Sequence, residues 1–278
     1  MARVVAVPSG AAVPASNSNI VRRTLWRLAP AVTPMLLVIG WEFASRVGGI
    51  SPFMLPPISA VIGRLAADVM SADLFVNAAL TLYRTFFGFA IAAAAGVTLG
   101  VLMARSRWGY WFFDPIVSIG LPMPKIAFLP VFILWFGLFD ASKITIIAVS
   151  AVFPVVTATL SGLQGVEREL VWSAQSLGAS PKQVAWQIMV PAALPQIITG
   201  LQVALPTALI VEIVAEMMMG GYGVGAAMLE ASRQLDSPDV FAGIIEIMAI
   251  GYGVVAAAAW LRRRLLIWHQ EDARSAAM

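Results

Sequence analysis

The feature that most constrains this chain is a series of long apolar segments with almost no charge inside them. Residues 25–44, 78–104, 115–138, 144–163, 194–219 and 240–261 are each long enough, at about 20 residues or more, to cross the roughly 30 Å hydrocarbon core of a bilayer as a helix. Charged residues make up only 12% of the 278 and hydrophobic residues 60%, with a mean hydropathy of +0.85. A soluble domain carries roughly twice that charge, at about 25%. The expected fold is therefore all-α: a polytopic membrane protein with six transmembrane helices. The sequence divides into a loose tail, 1–24, a membrane domain, 25–268, and a second tail, 269–278.

Charge outside the segments orients them. Arg3, Arg22, Arg23, Arg27, Arg105, Arg107, Arg168, Lys182, Arg262, Arg263, Arg264 and Arg274 fall on the side shared by both termini. Only Arg46, Arg64, Lys143 and Arg233 fall on the other. Cytoplasmic loops are enriched in Lys and Arg, so both termini are expected in the cytoplasm. Residues 1–20 lack the charge-then-apolar order of a signal peptide. Trp26, Trp108, Trp111, Trp260 and Trp268 near segment ends suit interfacial anchoring. The amphipathic run 58–70 and the Gly/Pro/Asp-containing loop 220–239 are expected on the outer surface.

Between the fourth and fifth segments lies a polar island, 170–191, LVWSAQSLGASPKQVAWQIMVP. It reads as two short helices forming an elbow on the cytoplasmic face. The first places Leu170, Ala174 and Leu177 on one face and ends at Gly178, which tolerates a left-handed conformation. The second opens on Ser180 as a cap, Pro181 at the first helical position and Gln183 completing a Ser-x-x-Gln capping box. It should stop or bend at Pro191.

Several ionisable groups fall near or inside apolar spans: Glu42, Arg84, Lys125, Glu212, Glu216 and Glu246. A charge at a helix centre costs at least about 2.5–3.5 kcal/mol, so these side chains should face protein or water. Glu212 and Glu216, four apart, share a helix face and repel unless a cation or a proton intervenes. Arg84 or Lys125 would supply the cation. These four residues are candidates either for intramembrane ion pairs or for a translocation path. Lys125 is the best placed for a path, because Pro122 and Pro124 break its span, and broken helices are where transporters expose backbone dipoles to ligands. Gly96-Val-Thr-Leu-Gly100 is a small-xxx-small pattern that permits close helix approach.

Much chemistry is excluded. The chain has no cysteine and one histidine, His269, so thiolate chemistry and intramembrane Ser/His hydrolysis have no residues to use. No Gly-x-x-x-x-Gly-Lys-Ser/Thr loop is present, and no metal site is expected. The run Gly220-Gly-Tyr-Gly-Val-Gly225 follows a membrane span rather than a strand and reads as a flexible outer turn. Basic residues are dispersed, which argues against nucleic acid as a partner.

Residues 172–191 resemble the signature of bacterial ABC importer permeases: Glu-Ala-Ala, three residues, Gly, nine residues, Ile-x-Leu-Pro. Ala174, Gly178, Ile188 and Pro191 match at the right spacing. Trp172 stands in place of the Glu, Ser173 of the first Ala and Val190 of the Leu. The likeness extends over about 55–268 and is similar to the nitrate/sulfonate/taurine branch at Leu121-Pro-Met-Pro-Lys-Ile-Ala-Phe-Leu-Pro-Val-Phe-Ile-Leu-Trp-Phe-Gly137, Val214-Ala-Glu-Met217 and Val240-Phe-Ala-Gly-Ile244, with Arg84 ahead of Gly88-Phe89.

The resemblance implies a type I importer permease in the bacterial inner membrane that pairs with a second copy. Two cytoplasmic ATP-binding subunits would hold the ATP and Mg, so this chain would bind no cofactor. An extracytoplasmic binding protein would deliver a small anionic solute such as a sulfonate, taurine or nitrate. Coupling would run through 165–191, with Trp172, Ser173, Ala174, Leu177, Gly178, Ala179, Ser180, Ile188 and Pro191 at the contact, by alternating access. A channel or secondary transporter is the rival class, and it leaves the elbow without a role.

Overall fold

A computed structural model describes residues 18–266, with side chains from Val32 onward; residues 1–17 and 267–278, with Arg3, Trp268, His269 and Arg274, lie outside the described residues, as do the side chains of Arg22, Arg23, Trp26 and Arg27. The described chain is helical without a strand. It falls into two units divided after Ser59.

The first unit is built on α1, Ser18–Val47. This helix contains the expected first crossing, and its apolar side chains Met35, Leu36, Leu37 and Phe43 are exposed, as a lipid-facing surface requires. Its C-terminal end is tied to the turn that follows. Trp41 Nε1 donates to the Pro56 carbonyl at 2.9 Å and Ser45 Oγ to that of Leu55 at 2.8 Å, while Glu42 accepts from Arg46 Nε at 2.6 Å and from the Ser59 N–H at 3.2 Å. Glu42 is thus a local ion-pair partner.

The second unit begins within α2, Ile58–Met70, the amphipathic run seen in the sequence. It continues through α3, Ala72–Arg105, α4, Arg107–Gly120, a 3₁₀ turn, Lys125–Phe128, α5, Leu129–Phe136, and α6, Asp140–Gln164. The elbow follows as α7, Arg168–Ser176, and α8, Pro181–Gln183. A π-helical turn, Val184–Met189, leads into α9, Val190–Met219, then α10, Val224–Arg233, and α11, Ser237–Leu265. Four helices are long and apolar enough to cross a membrane unaided: Ala72–Arg105, Asp140–Gln164, Pro181–Met219 and Ser237–Leu265. The expected third span is instead a pair, α4 and α5, bent by 96° at the Pro122/Pro124 break. Counted as one crossing it gives a fifth, and α1 would be the sixth.

Helices α3, α6 and α9 form the centre of this unit. A Cβ added at Gly88 would come within 2.6 Å of Ile147 Cγ2, one at Gly96 within 2.7 Å of Val155 Cβ, and one at Gly100 within 2.6 Å of Thr159 Cβ. Each α6 residue number exceeds its α3 partner by 59, so these two helices run parallel with their backbones nearly touching. Gly162 meets Gln196 and Gly200 meets Ala158, so α9 runs antiparallel to α6. The buried residues Ala92, Ala151, Ala204 and Ala208 fill the seam between the three with Ile147 and Val155, and larger side chains such as Phe89 and Leu201 pack against it from its edge. Lipid is as apolar as leucine, so membrane helices gain from such close van der Waals contact rather than from expulsion of water.

The structure refines two expectations. Loop 220–239 contains α10, begun at Gly223 and followed by α11, whose N-cap Asp236 accepts from Asp239 N–H at 3.2 Å. Pro191 does not stop the second elbow helix either: the chain is helical from Pro181 to Met219. The π turn immediately before Pro191 widens the ladder where the proline ring would otherwise clash with the carbonyl one turn back.

Over-packing tests the seam. Gly96→Leu should destabilise the detergent-solubilised protein by roughly 1–3 kcal/mol in thermal unfolding. Gly253→Ala, on α11 with open space at its Cβ, should be neutral or stabilise by up to about 1 kcal/mol.

Candidate functional site

The seam leads into two polar places, one at each end of α9. At the elbow end, α7 closes with a complete Schellman motif. Ala179 N–H donates to the Ala174 carbonyl and Gly178 N–H to that of Gln175, both at 3.0 Å, and Gly178 takes φ +84°, which only glycine adopts freely. The capping box forms as the sequence predicts: Ser180 N–H donates to Gln183 Oε1 at 2.8 Å, and Ser180 Oγ accepts from Gln183 N–H at 3.4 Å. Two opposed end signals thus set a fixed angle at residues 177–180.

The outer surface of the elbow sets large apolar side chains among polar ones. Of the expected face only Ala174 is buried; Leu170 is exposed and Leu177 is 89% exposed. The reason is that Leu177 is the C-cap residue, where the helical periodicity has already ended. Trp172 is 58% exposed, so its ring is not enclosed by the described residues, and Trp186 on the π turn is exposed as well. Glu169, Trp172, Ser173, Ser176 and Leu177 line an open depression. Ile188 is half-buried, and Pro191 is exposed at the start of α9.

At the far end of α9 sits a buried ionic cluster centred on Arg84, which is 5% exposed. Its Nε donates to Asp140 Oδ1 at 2.8 Å, and its Nη1 donates to Glu216 Oε1 at 3.1 Å and to the Tyr222 carbonyl at 2.8 Å. Glu212 Oε1 lies 3.6 Å from Nη1, but neither Glu212 oxygen has a hydrogen-bond partner among the described residues. Glu216 is better held: Thr81 Oγ1 donates to its carboxylate at 2.8 Å and Gly225 N–H at 3.0 Å. Lys143, also buried, donates to the Gly220 carbonyl at 3.2 Å.

The glycine run is therefore no free turn. Gly220, Gly221 and Gly223 take φ of +70°, +88° and +133°. The N–H groups of Gly223, Val224 and Gly225 donate to Asn77 Oδ1, Thr81 Oγ1 and Glu216 Oε2. At Gly223 a Cβ would overlap the Glu216 carboxylate. The run folds over that carboxylate because no side chain is in the way. Of the four intramembrane candidates, the structure brings Arg84, Glu212 and Glu216 together and leaves Lys125 elsewhere. The sequence reading passed over Asn77, Thr81, Asp140 and Lys143, although small or ionisable residues recur at every fourth position on both helices that meet there: Arg84, Gly88, Ala92, Gly96 and Gly100 on α3, and Gly200, Ala204, Ala208, Glu212 and Glu216 on α9.

Beside this cluster Arg64 pairs with Asp239 through two hydrogen bonds of 3.0 Å, and Asp68 lies 3.3 Å from its Nε. Partial burial pushes the Asp68 carboxyl above its usual range, and the Arg64 charge pulls it back. With Asp73, Asn77 and Glu246 these residues line a cavity of about 300 Å³.

Lys125 sits on the 3₁₀ turn after the proline break. Its Nζ donates to the Leu121 carbonyl at 2.6 Å and rides over the Phe153 ring, 5.3 Å from the centroid. Phe153 also fills the space a side chain at Gly120 would need, so one ring holds both sides of the break.

A seam of small residues, a proline-broken span and a capped polar elbow between spans define a multi-pass membrane permease. Residues 96–267 match the family described as binding-protein-dependent transport system inner membrane component, and the chain belongs to that family. It is 33% identical to the taurine transport system permease protein TauC of Escherichia coli, over 90% of this chain and 95% of that one. It is 31% identical to the putative aliphatic sulfonates transport permease protein SsuC of Bacillus subtilis, over 92% and 95%. Among solved structures, a bacterial ABC transporter involved in import of the acidic polysaccharide alginate aligns over 90% of this chain with TM-score 0.60 at 15% identity, and an amino acid ABC transporter over 72% with TM-score 0.59 at 16%. These last two establish the type I importer permease fold.

The Arg84 cluster makes a stability prediction. Arg84→Ala removes the cation bonded to Glu216 and 3.6 Å from Glu212, leaving only Lys143 near two buried glutamates, and should cost about 3–5 kcal/mol in unfolding of the purified protein. Glu212→Gln removes a carboxylate that accepts no hydrogen bond and should change stability by less than about 1 kcal/mol. Equal costs for the two would show that Arg84 is not the hub.

Proposed function

We propose that this permease carries a small sulfonate inward across a bacterial inner membrane, driven by ATP on partner subunits. The elbow, 165–191, is the docking surface for two cytoplasmic ATP-binding subunits, which hold the ATP and Mg. Two copies of this chain flank the path, and an extracytoplasmic binding protein delivers the solute. Both termini are cytoplasmic. The substrate class rests on the likeness to the taurine and aliphatic sulfonate permeases.

One observation carries the coupling: the elbow is capped at both helix ends, exposes Trp172 and Leu177, and leads through a π turn and a continuous helix into the span that carries Glu212 and Glu216. An ATP-binding subunit that closes on this surface pushes on a lever whose other end is the Arg84 cluster. ATP drives the motion by binding one conformation better than the other. In place of a charged anchor at Trp172, the docking contact is an indole seated in a pocket of the ATP-binding subunit, as buried aromatic anchors are at many interfaces.

Two substitutions test this in the complete transporter reconstituted in liposomes with its binding protein. Gly178→Arg should abolish ATP-dependent uptake while the protein remains in the membrane, since a non-glycine residue at φ +84° is strained by about 1–2 kcal/mol and its bulk stands in the docking surface. Trp172→Ala should weaken co-purification of the ATP-binding subunit, with a loss of about 2 kcal/mol or more, near thirtyfold in affinity. Normal uptake by the first and normal association by the second would contradict the assignment.

A further inference from the structure

We infer that Glu212 is a second seat for Arg84: when α9 moves outward in the transport cycle, the guanidinium passes from Glu216 to Glu212, which makes Glu212 a positioning residue for transport. This rests on the permease reading above.

The two carboxylates are unlike. Both are fully buried, and both lie within 4 Å of one Arg84 nitrogen, Nη1. They share a face of α9, four residues or about 6 Å apart. Glu216 is fully engaged, accepting from Arg84 Nη1 at 3.1 Å, Thr81 Oγ1 at 2.8 Å and Gly225 N–H at 3.0 Å. Glu212 accepts from none of the described residues, although its Oε1 is only 3.6 Å from the same Nη1. Lys143, the other buried cation, donates to the Gly220 carbonyl instead. A buried carboxylate without a donor is costly. That cost is recovered in a state where a donor reaches it, and Arg84 needs less than an ångström to do so.

The direction follows from which parts are fixed. Gly88, Gly96 and Gly100 bring α3 against α6, and Arg84 Nε is bonded to Asp140 of α6 at 2.8 Å, so the guanidinium belongs to that frame. The glutamates ride on α9. Its small residues Gly200, Ala204 and Ala208 recur every four positions, and they set no large side chain against a short slide. An outward shift of about half a turn, near 3 Å, brings Glu212 to Nη1 and withdraws Glu216. Glu216 is not stranded by it. Thr81 stands three residues nearer the start of α3 than Arg84, on the side toward which Glu216 moves, and Gly225 belongs to the run that follows α9. The bonds from Lys143 to Gly220 and from Arg84 to the Tyr222 carbonyl lengthen in the same movement. Closure of the ATP-binding subunits on the elbow supplies the push, along helix that continues from Pro181 to Met219. Two discrete seats for one side chain make the element bistable, the property such transitions need.

The test uses the complete transporter with its ATP-binding subunits and binding protein, in nanodiscs for distances and in liposomes for uptake. Spin labels are placed at Leu102→Cys on α3 and Met218→Cys on α9, both exposed positions, in one permease copy only. Leu102 lies about 27 Å from Arg84 along α3, toward the cytoplasmic end, so sliding of α9 reads as a change in length. Between nucleotide-free and ATP-trapped wild type the distance should lengthen by about 3 Å. Glu212→Gln should hold the ATP-trapped distance near its nucleotide-free value. It should also slow uptake of radiolabelled taurine or butanesulfonate about tenfold or more, the worth of one charge-assisted hydrogen bond lost from one state. Thermal unfolding of the nucleotide-free variant, matching wild type, excludes misfolding, and a merely structural glutamate would leave the distance change intact. Should the variant fail to fold, the wild-type distance decides alone. An unchanged or shortened wild-type distance, or full lengthening with normal uptake in Glu212→Gln, would overturn the inference. Uptake by wild type judges the permease reading separately: ATP-driven uptake with an unchanged distance keeps that reading and sinks the second seat.

Discussion

Everything at the end of the bundle remote from the elbow depends on neutralising one guanidinium. Arg84 projects from α3 into a space with almost no solvent access, where an unpaired charge would be prohibitive. Its donors go to α6 through Asp140, to α9 through Glu216 and to the 220–225 run through Tyr222. Three separate segments are thereby fixed by one side chain. Their approach is possible only because the seam below is made of glycine and alanine, which bring the backbones of α3, α6 and α9 close enough for an arginine to span them. Van der Waals packing and electrostatics are not separate devices here; the first sets the geometry the second requires.

That geometry bears on the docking role proposed for the elbow. A docking surface transmits force only if the chain beyond it is stiff, and the helix that begins at Pro181 continues to Met219. It starts beside a Schellman turn and a capping box and ends beneath a glycine run pinned by Asn77, Thr81 and Glu216. Its irregular places are Pro195 and Pro206 inside α9 and the π turn at Val184–Met189 just ahead of Pro191. Such turns frequently occur at functional sites, and this one is where the lever would yield if it were not rigid.

The sequence made legible what depends on local chemistry. Composition and segment length carry the membrane class. The elbow is readable in detail because Gly178, Ser180, Pro181 and Gln183 act within a few residues of themselves, and the Gly96/Gly100 spacing anticipates the α3–α6 contact. What it hid depends on residues far apart in the chain: that Lys143, outwardly a loop lysine, is buried against Gly220; that Thr81 serves both Glu216 and Val224; that Arg84, not Lys125, meets the glutamates. That the helix continues past Pro191 is not legible locally, because proline's effect on a ladder depends on whether the preceding turn can widen. The absence of cysteine from the chain also makes it a clean background for labelling.

The account's central claim is that elbow and Arg84 cluster are the two ends of one rigid element. It is tested most directly by spin labels at Lys182→Cys and Met218→Cys, with electron–electron distances measured in the assembled transporter, nucleotide-free and ATP-trapped. The account predicts an unchanged distance within each chain and a shifted distance between the Met218 labels of the two copies. A change within the chain, reporting a hinge at Val184–Pro191, would contradict it.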